Sequence, residues 1–392
     1  MQKQRIYLDN GASTRLDPEV LQAMLPFWTE TYGNPSSHHA FGREAEQGLE
    51  TARATVAELL GTATPAEIVF TGCGSESDNL AVRGAMWAAR ANGTGNHLIT
   101  SCIEHSAVGQ TAVSLHTHHG FDLTILPVDH SGQVRPADLE AAIRPDTVLV
   151  SIMAANNEIG TLQPIDELGA IAHAHGALFH TDAVQAVAVQ RWQLAQQPID
   201  LLSVAPHKFY GPKGVGMLYV RQGVELQPEL TGGSHENGLR AGTVNVPFAV
   251  GAAKALELAM ADLPETVAHY QKLRDRLIEG VLTAVPDGAI LTGHPTNRLP
   301  HNASFAFRHL SGNDLLMHLD TAGIAASSGS ACKSGDPKPS AVLQAVGLGR
   351  EWTKGGLRLT VGRHNTMDEI EQVVATIPHL VAKLQKIHLM FA

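Results

Sequence analysis

The chain has little cysteine: three residues in 392, at positions 73, 102 and 332, with no C-x-x-C pair among them. That excludes a disulfide framework and a cysteine-rich metal centre, and makes a reducing compartment, the cytoplasm, the expected location. It also lacks positive charge. With 28 Lys and Arg against 38 Asp and Glu, the formal net charge is −10, the opposite of the basic stripe that nucleic-acid binders carry. No apolar run approaches the roughly 20 residues that cross a bilayer, and the opening MQKQRIYLDNGAS has no secretory h-region. Internal repeats and low-complexity linkers are missing too. What is present is an ordinary globular balance, 44% hydrophobic and 17% charged, in a chain long enough for roughly two domains.

Histidine, by contrast, is plentiful, with 21 residues. The densest group, His116, His118 and His119, precedes Gly120 between a helical stretch and a strand-like one. It reads as a solvated turn and not as a metal site.

From about residue 65 to 220, short apolar runs alternate with amphipathic stretches. The expected strands are EIVFT (67–71), HLITS (97–101), LTILPV (123–128), TVLVSIMA (147–154), GALFHTD (176–182), DLLSVA (200–205) and GVGMLYV (214–220). Several are nearly continuous in Val, Ile and Leu, as strands buried on both faces are. Segments such as 77–91 and 165–176 show helical spacing between them. Such alternation predicts an α/β fold with a mostly parallel sheet covered by helices, and ligands beyond the carboxyl ends of its strands. The stretch 254–286 predicts one or two long helices interrupted near Pro264, followed by the strands 303–307 and 357–362 and a terminal helix from about 367. The expected division is a large domain, 16–257, and a smaller α+β domain formed by 1–15 and 258–392.

The polar motifs fall at the strand ends. In HTDAVQ (180–185), Asp182 and Gln185 follow a buried strand. A carboxylate there needs a cation or a strong donor, unless it only caps a helix. In HKFYGPKGVG (207–216), Lys208 stands next to a strand end, either as a surface residue or directed inward to form a Schiff base with a carbonyl cofactor. If it does, Asp182 supplies what pyridoxal phosphate requires, a carboxylate that keeps the ring nitrogen protonated. TGCGSESDN (71–79) passes from strand to helix, so its N–H groups, with the Ser75 hydroxyl, could hold an anion. It matches neither the P-loop nor G-x-G-x-x-G. EHSAV places His105 after a strand, as a stacking and proton-moving imidazole or as a plain helix-start residue. Asn157 in AANNEIGTLQP offers an amide, and Arg358 in LRLTVGR a bidentate fork for a carboxylate, or a solvated strand face.

One cysteine sits oddly. SSGSACKSG (327–335) surrounds Cys332 with Ser and Gly, which favour irregular backbone over packed structure. Gly329, Gly335, Pro337 and Pro339 suit an exposed carrier loop. Either Cys332 is an accidental thiol or it is a nucleophile that travels.

The ordered series YLDNGAST, YGNPSSHHAFGR, TGCGSESDN, EHSAV, NNEIGTLQP, HTDAVQ, HKFYGPKGVG, LRAGT, SSGSAC and LRLTVGR resembles the cysteine desulfurases of the NifS/IscS type, over about residues 6–365. These belong to the class V aminotransferase group, with the type I fold of pyridoxal-phosphate enzymes: a large domain and a smaller one, in homodimers. The resemblance implies that Lys208 is the Schiff-base lysine, that Asp182 pairs with the pyridine nitrogen, and that Gln185 and Asn157 reach the phenolic-oxygen side of the ring. It implies that His105 stacks on the ring and moves protons, and that Gly74, Ser75 and His207, joined by Thr243 of the partner subunit, hold the phosphate. Arg358, with Asn157, would bind the substrate. Cys332 would be the nucleophile that takes sulfur from L-cysteine as a persulfide, leaving L-alanine. The sulfur would pass to an acceptor protein such as an iron–sulfur scaffold. No intrinsic metal is implied, only Cys332 as a transient iron–sulfur ligand. The long stretch after Cys332 resembles the IscS-like group.

The departures are local. Ala205 stands where relatives usually place a serine that donates to the phosphate, Gly72–Cys73 where Ser–Gly is usual, and His235 where Gln is common. Cys73 reads as a small buried residue. The alternatives are a cysteine or selenocysteine lyase, a class V aminotransferase, or a scaffold that keeps the fold without catalysis.

Overall fold

The computed structural model describes residues 5–328 and 339–391. Twelve strands form within them: β1 (Ile6–Tyr7), β2 (Ile68–Thr71), β3 (His97–Ser101), β4 (Asp122–Leu126), β5 (Thr147–Ser151), β6 (Leu178–Asp182), β7 (Leu201–Val204), β8 (Gly216–Val220), β9 (Ala289–Leu291), β10 (Asn302–Phe307), β11 (Ile324–Ala325) and β12 (Gly356–Thr360). Seven of them make the main sheet, in the order β2-β8-β7-β6-β5-β3-β4. Neighbours pair in parallel except at β8, which runs antiparallel to both β2 and β7.

The apolar runs lie in this sheet because both of its faces are covered. Alternate residues of β2 show the division. Ile68 and Phe70 enter a core with Leu49, Val56 and Leu256 from the helices Ala40–Leu60 and Val246–Ala261. Val69 turns to the other face, among Leu80, Ala85 and Val108 from the helices Gly74–Asn92 and Ser106–His119. Burial of both faces is what makes such strands read as unbroken hydrophobic stretches.

A three-stranded antiparallel sheet, β12-β10-β9, packs against the helices Leu263–Ala284 and Met367–Phe391 through Phe305, Leu357, Leu273, Leu277 and Ile370. The first residues of the chain join this region. Ile6 and Tyr7 pair in parallel with Ile324 and Ala325, while further on Thr14 bonds the carbonyl of His207 at the main sheet. The helix read from 254 starts earlier, at Val246, where Asn245 accepts from the Phe248 N–H and proline occupies the first turn. The break falls at Asp262, and Pro264 sits in the first turn of the next helix, where its missing N–H costs nothing. His116, His118 and His119 form the last turn of Ser106–His119 and not a separate loop, because Gly120, at φ 69°, supplies the left-handed cap.

Candidate active site

The carboxyl ends of β2, β5, β6 and β7, and the turn after β3, open into one cavity of about 400 Å³. Gly74, Ser75, His105, Asn157, Asp182, Gln185, His207, Lys208 and Arg358 all line it. Thr243 does not; it is exposed on the surface of this chain. Cys332 lies outside the described residues, although Ser327 and Ser328 reach the cavity wall.

Lys208 closes a one-turn 3₁₀ segment that follows β7. Its Nζ donates to the carbonyls of Gly11 at 2.8 Å and Ala12 at 2.9 Å. The Gly11 carbonyl also accepts from Gln185 Nε2 at 2.9 Å, so the N-terminal strap holds both side chains. Burial lowers the Lys208 amine from its ordinary value to about 8, helped by the Arg358 charge and opposed by Asp182 and Asp9. A fraction of it is therefore a neutral, nucleophilic amine near neutrality. Tyr210, two residues on, adopts φ +67°, a conformation rare for a bulky side chain. Its hydroxyl accepts from the Arg363 N–H and its ring lies under the Arg363 guanidinium, 4.5 Å away, which fixes the strained turn after the lysine.

Asp182 ends β6. One oxygen accepts from the Val184 N–H at 2.9 Å. Burial raises the carboxyl's pKa, against the pull of that N–H and the charges of His105 and Lys208. His105 caps the helix Ser106–His119, its Nδ1 accepting from the Ala107 N–H at 3.2 Å; the capping and cavity readings therefore both hold for its position. His207, desolvated and flanked by Lys208 and Lys213, is pushed down to about 4 and stays neutral at physiological pH.

Arg358 is buried on β12 and not on a solvated face. Its Nη1 donates to the Asn157 carbonyl at 2.7 Å and its Nη2 to Asp9 Oδ1 at 3.0 Å. Its Nε is buried with no partner. Next to Asn157, Glu158 accepts from the Ser340 hydroxyl at 2.7 Å, and burial pushes its pKa up to about 7.

The anion cradle has a structural cause. Gly74 and Ser75 begin the 19-residue helix Gly74–Asn92, whose first N–H groups have no partner one turn back. A Cβ at Gly74 would stand 3.0 Å from the Ala205 Cβ and 3.2 Å from Val184 Cγ2, so glycine lets the turn approach β7. Glu76 is kept out of the cradle, bonded to the Gly72 N–H and ion-paired with Arg240 at 2.9 Å. Cys73, expected to be buried, is exposed and lines the cavity. It is the helix N-cap with extended backbone, its Sγ accepting from the Glu76 N–H at 3.4 Å, and a cap side chain stands at the mouth of the turn.

The residues fit pyridoxal phosphate: a lysine with a lowered pKa, a buried carboxyl in the same cavity, an imidazole, and a helix start whose first-turn carboxylate, Glu76, is engaged by the Gly72 N–H and Arg240. Three further residues of the site were not apparent from sequence, although each lies within one of its motifs. Asp78 is buried in the cavity wall with Oδ1 unbonded. Glu104 accepts from Ser101 Oγ and the Met153 N–H, and burial pushes its pKa up to about 8. Asp9 holds Arg358. An acidic residue inside a motif was the available signal for each.

Residues 6–373 match the family model "Aminotransferase class-V". The chain is 48% identical to "Cysteine desulfurase IscS" of Methanosarcina thermophila over 97% of its own length and 93% of that protein's. Among solved structures, a "NIFS-LIKE PROTEIN" superposes with a TM-score of 0.90 at 38% identity, covering 97% of this chain and all of that one. "SspA in complex with cysteine" gives a TM-score of 0.80 at 35% identity, over 93% of this chain and all of that one. Sequence and fold thus point to the same relatives, and the chain belongs to the class-V aminotransferase family, among its cysteine desulfurases.

Proposed function

We propose that this protein is a pyridoxal-phosphate-dependent cysteine desulfurase, which converts L-cysteine to L-alanine and carries the sulfur as a persulfide on Cys332. The observation that supports it best is the convergence of Lys208, Asp182, His105 and Arg358 on one cavity in a chain 48% identical to a protein of that name. Pyridoxal phosphate, once bound, supplies an electron-withdrawing ring that weakens the substrate's bond to sulfur. Lys208 provides the amine that holds it. Asp182 would keep a proton on the ring nitrogen, and Gln185 and Asn157 would hold the phenolic-oxygen side of the ring. Gly74, Ser75 and neutral His207 donate to the phosphate. Arg358 binds the substrate carboxylate, and His105, at the cavity's open side, moves a proton to or from the substrate. The Cys332 thiolate attacks the substrate sulfur; the carbon–sulfur bond breaks, a sulfur–sulfur bond forms, and the carbon takes a proton to become alanine. The thiolate is required because the thiol is a poor nucleophile.

The working unit of this reading is a homodimer. Tyr32 and Phe41, 65% and 52% exposed with ring centroids 5.8 Å apart, form an apolar surface that suits a second copy, and Thr243 would complete the phosphate site of the partner subunit. An iron–sulfur scaffold or another sulfur-accepting protein takes the persulfide. No helix among the described residues is long and apolar enough to cross a membrane, and a cytoplasmic site of action fits the free cysteines.

The test is the purified, cofactor-loaded protein with L-cysteine, alanine being quantified and sulfur adducts mapped by mass spectrometry beside Cys332→Ala. Alanine together with a one-sulfur adduct on Cys332, both lost in the variant, is the expected result. Pyruvate, or amino-group transfer indifferent to the mutation, would replace the reading with a lyase or an aminotransferase.

A further inference from the structure

The floor of the cavity holds a second carboxyl that the reaction above does not use. Asp78 is 1% exposed, and its Oδ1 has no hydrogen-bond partner. It comes from the helix Gly74–Asn92 and meets the end of β6, so that Asp78, Asp182 and His105 each bring a side-chain atom within 4.8 Å of the other two. Behind Asp78 lies a chain of buried polar groups. The Ser203 hydroxyl faces the Asp78 carboxyl; Ser203 Oγ is 3.0 Å from His180 Nε2, and His180 Nδ1 is 2.8 Å from Ser151 Oγ. His180 Nε2 itself stands 3.8 Å from Asp78 Oδ1, beyond hydrogen-bond reach.

We propose that Asp78 carries the single proton of a carboxyl pair with Asp182, and is thereby a positioning residue that confines the negative charge of the cavity floor to the carboxylate facing the cofactor. The inference rests on the pyridoxal-phosphate reading of the cavity for its purpose, though not for its geometry. Two enclosed carboxyls this close do not both ionise. Which one keeps the proton follows from the neighbours. Asp182 has the Val184 N–H, His105 and Lys208 to stabilise its charge. Asp78 has one hydroxyl in its favour, and against it burial, Asp182 and, further off, Glu104. His180 cannot supply the missing cation, because complete burial lowers its pKa to about 3 and keeps the ring neutral. Were both carboxylates charged, one pyridinium would face two buried anions. Were Asp182 the protonated one, the ring nitrogen would lose its partner. A proton on Asp78 avoids both states. It also gives the buried chain a donor at its open end, with Ser203, His180 and Ser151 able to accept and donate in turn.

The decisive measurement is the infrared spectrum of the protein with and without cofactor, in the carbonyl region of protonated carboxylic acids. The wild type is compared with Asp78→Asn, Asp182→Asn and Ser203→Ala. We expect an acid band that disappears in the near-isosteric Asp78→Asn. The same band shifts in frequency in Asp182→Asn, because the neighbouring charge is gone while burial still favours the acid, and it shifts again in Ser203→Ala. No acid band lost in Asp78→Asn would overturn the proposal, and so would a band unaffected in Asp182→Asn. Cofactor absorbance provides a second readout. Asp78→Asn, neutral at every pH, should keep the wild-type visible spectrum and bind cofactor within about twofold. A spectrum displaced as far as that of Asp182→Asn would show that Asp78 acts as an anion. Alanine formation is scored separately, so a protein that fails as a desulfurase leaves the infrared result standing, and the reverse also holds.

Discussion

The two walls of the cavity are built from different sheets and carry their polar groups in different states. On the main-sheet wall, at the ends of β2, β6 and β7, three features are short of partners: Asp78 Oδ1 is unbonded, Asp182 has one N–H against a burial that raises its pKa, and the first N–H groups of the helix Gly74–Asn92 begin at the cavity. On the small-sheet wall the two terminal nitrogens of Arg358 are already matched, and only its Nε is without a partner. Nη1 is held by the Asn157 carbonyl and Nη2 by Asp9. Buried polar groups without partners cost free energy that a bound molecule can return. The first wall is therefore shaped for a resident cofactor, and the second for a substrate that comes and goes by exchanging partners with an existing ion pair.

Removing the one covalent anchor on the first wall should have the largest effect. Lys208→Ala is expected to lower alanine formation by roughly 10³ or more, with the cofactor bound only as free aldehyde in the visible spectrum; turnover within tenfold of wild type would remove Lys208 from its role. On the second wall the effects should be smaller and fall on KM. Arg358→Lys keeps the charge but loses the fork, and KM for L-cysteine should rise by about 10- to 100-fold with kcat changed less. Asp9→Asn sharpens the contrast. If Asp9 competes with the substrate for Arg358, its neutral replacement leaves KM unchanged or lower, whereas a rise in KM like that of Arg358→Lys would mean that Asp9 orients the guanidinium. A pH experiment separates the walls again. The Lys208 amine, lowered to about 8, is protonated below that pH and free above it. The rate of Schiff-base formation when cofactor is added to the apoprotein should therefore climb about tenfold per unit up to near pH 8 and then level off. A climb that continues to pH 10 would indicate an ordinary, solvated lysine.

The main-sheet wall was the more legible from sequence, because each of its motifs follows a strand whose apolar run announces it. HLITS coincides with β3, and the runs GALFHTD (176–182) and DLLSVA (200–205) locate β6 and β7 to within one or two residues. What the sequence hid was the depth of the floor. Asp78, Ser151, His180 and Ser203 come from four separate elements and meet only once the sheet order puts β5, β6 and β7 side by side. A faint sign existed: Ser151, His180 and Ser203 are polar residues in fully buried strand positions, and a polar side chain inside a two-sided sheet has to find a partner. The small-sheet wall was less legible, since Arg358 on a short antiparallel strand looks the same whether it faces water or a pocket, and Asp9 lies 349 positions away from it. Cys73 was misread for a local reason: a small residue before a helix looks like packing, whereas the N-cap geometry turns its thiol outward.

The smallest effect expected concerns Ala205, buried against Gly74 on the cofactor wall. A serine there adds one hydroxyl beside the anion cradle, where a hydrogen bond to a charged group contributes about 1.5–3 kcal/mol if its geometry is good. Set against this are the ordering of the new side chain and the close packing at Gly74, where even an added Cβ would meet the Ala205 Cβ at 3.0 Å. The lower end of the range is the reasonable expectation, so Ala205→Ser should slow cofactor loss by about tenfold in a dialysis or competition experiment, with KM for cysteine unchanged because Arg358 lies on the other wall. Unchanged retention would mean that the helix start and His207 already satisfy the phosphate. A change in KM without a change in retention would break the division of labour between the walls, since a residue of the cofactor wall would then be acting on the substrate.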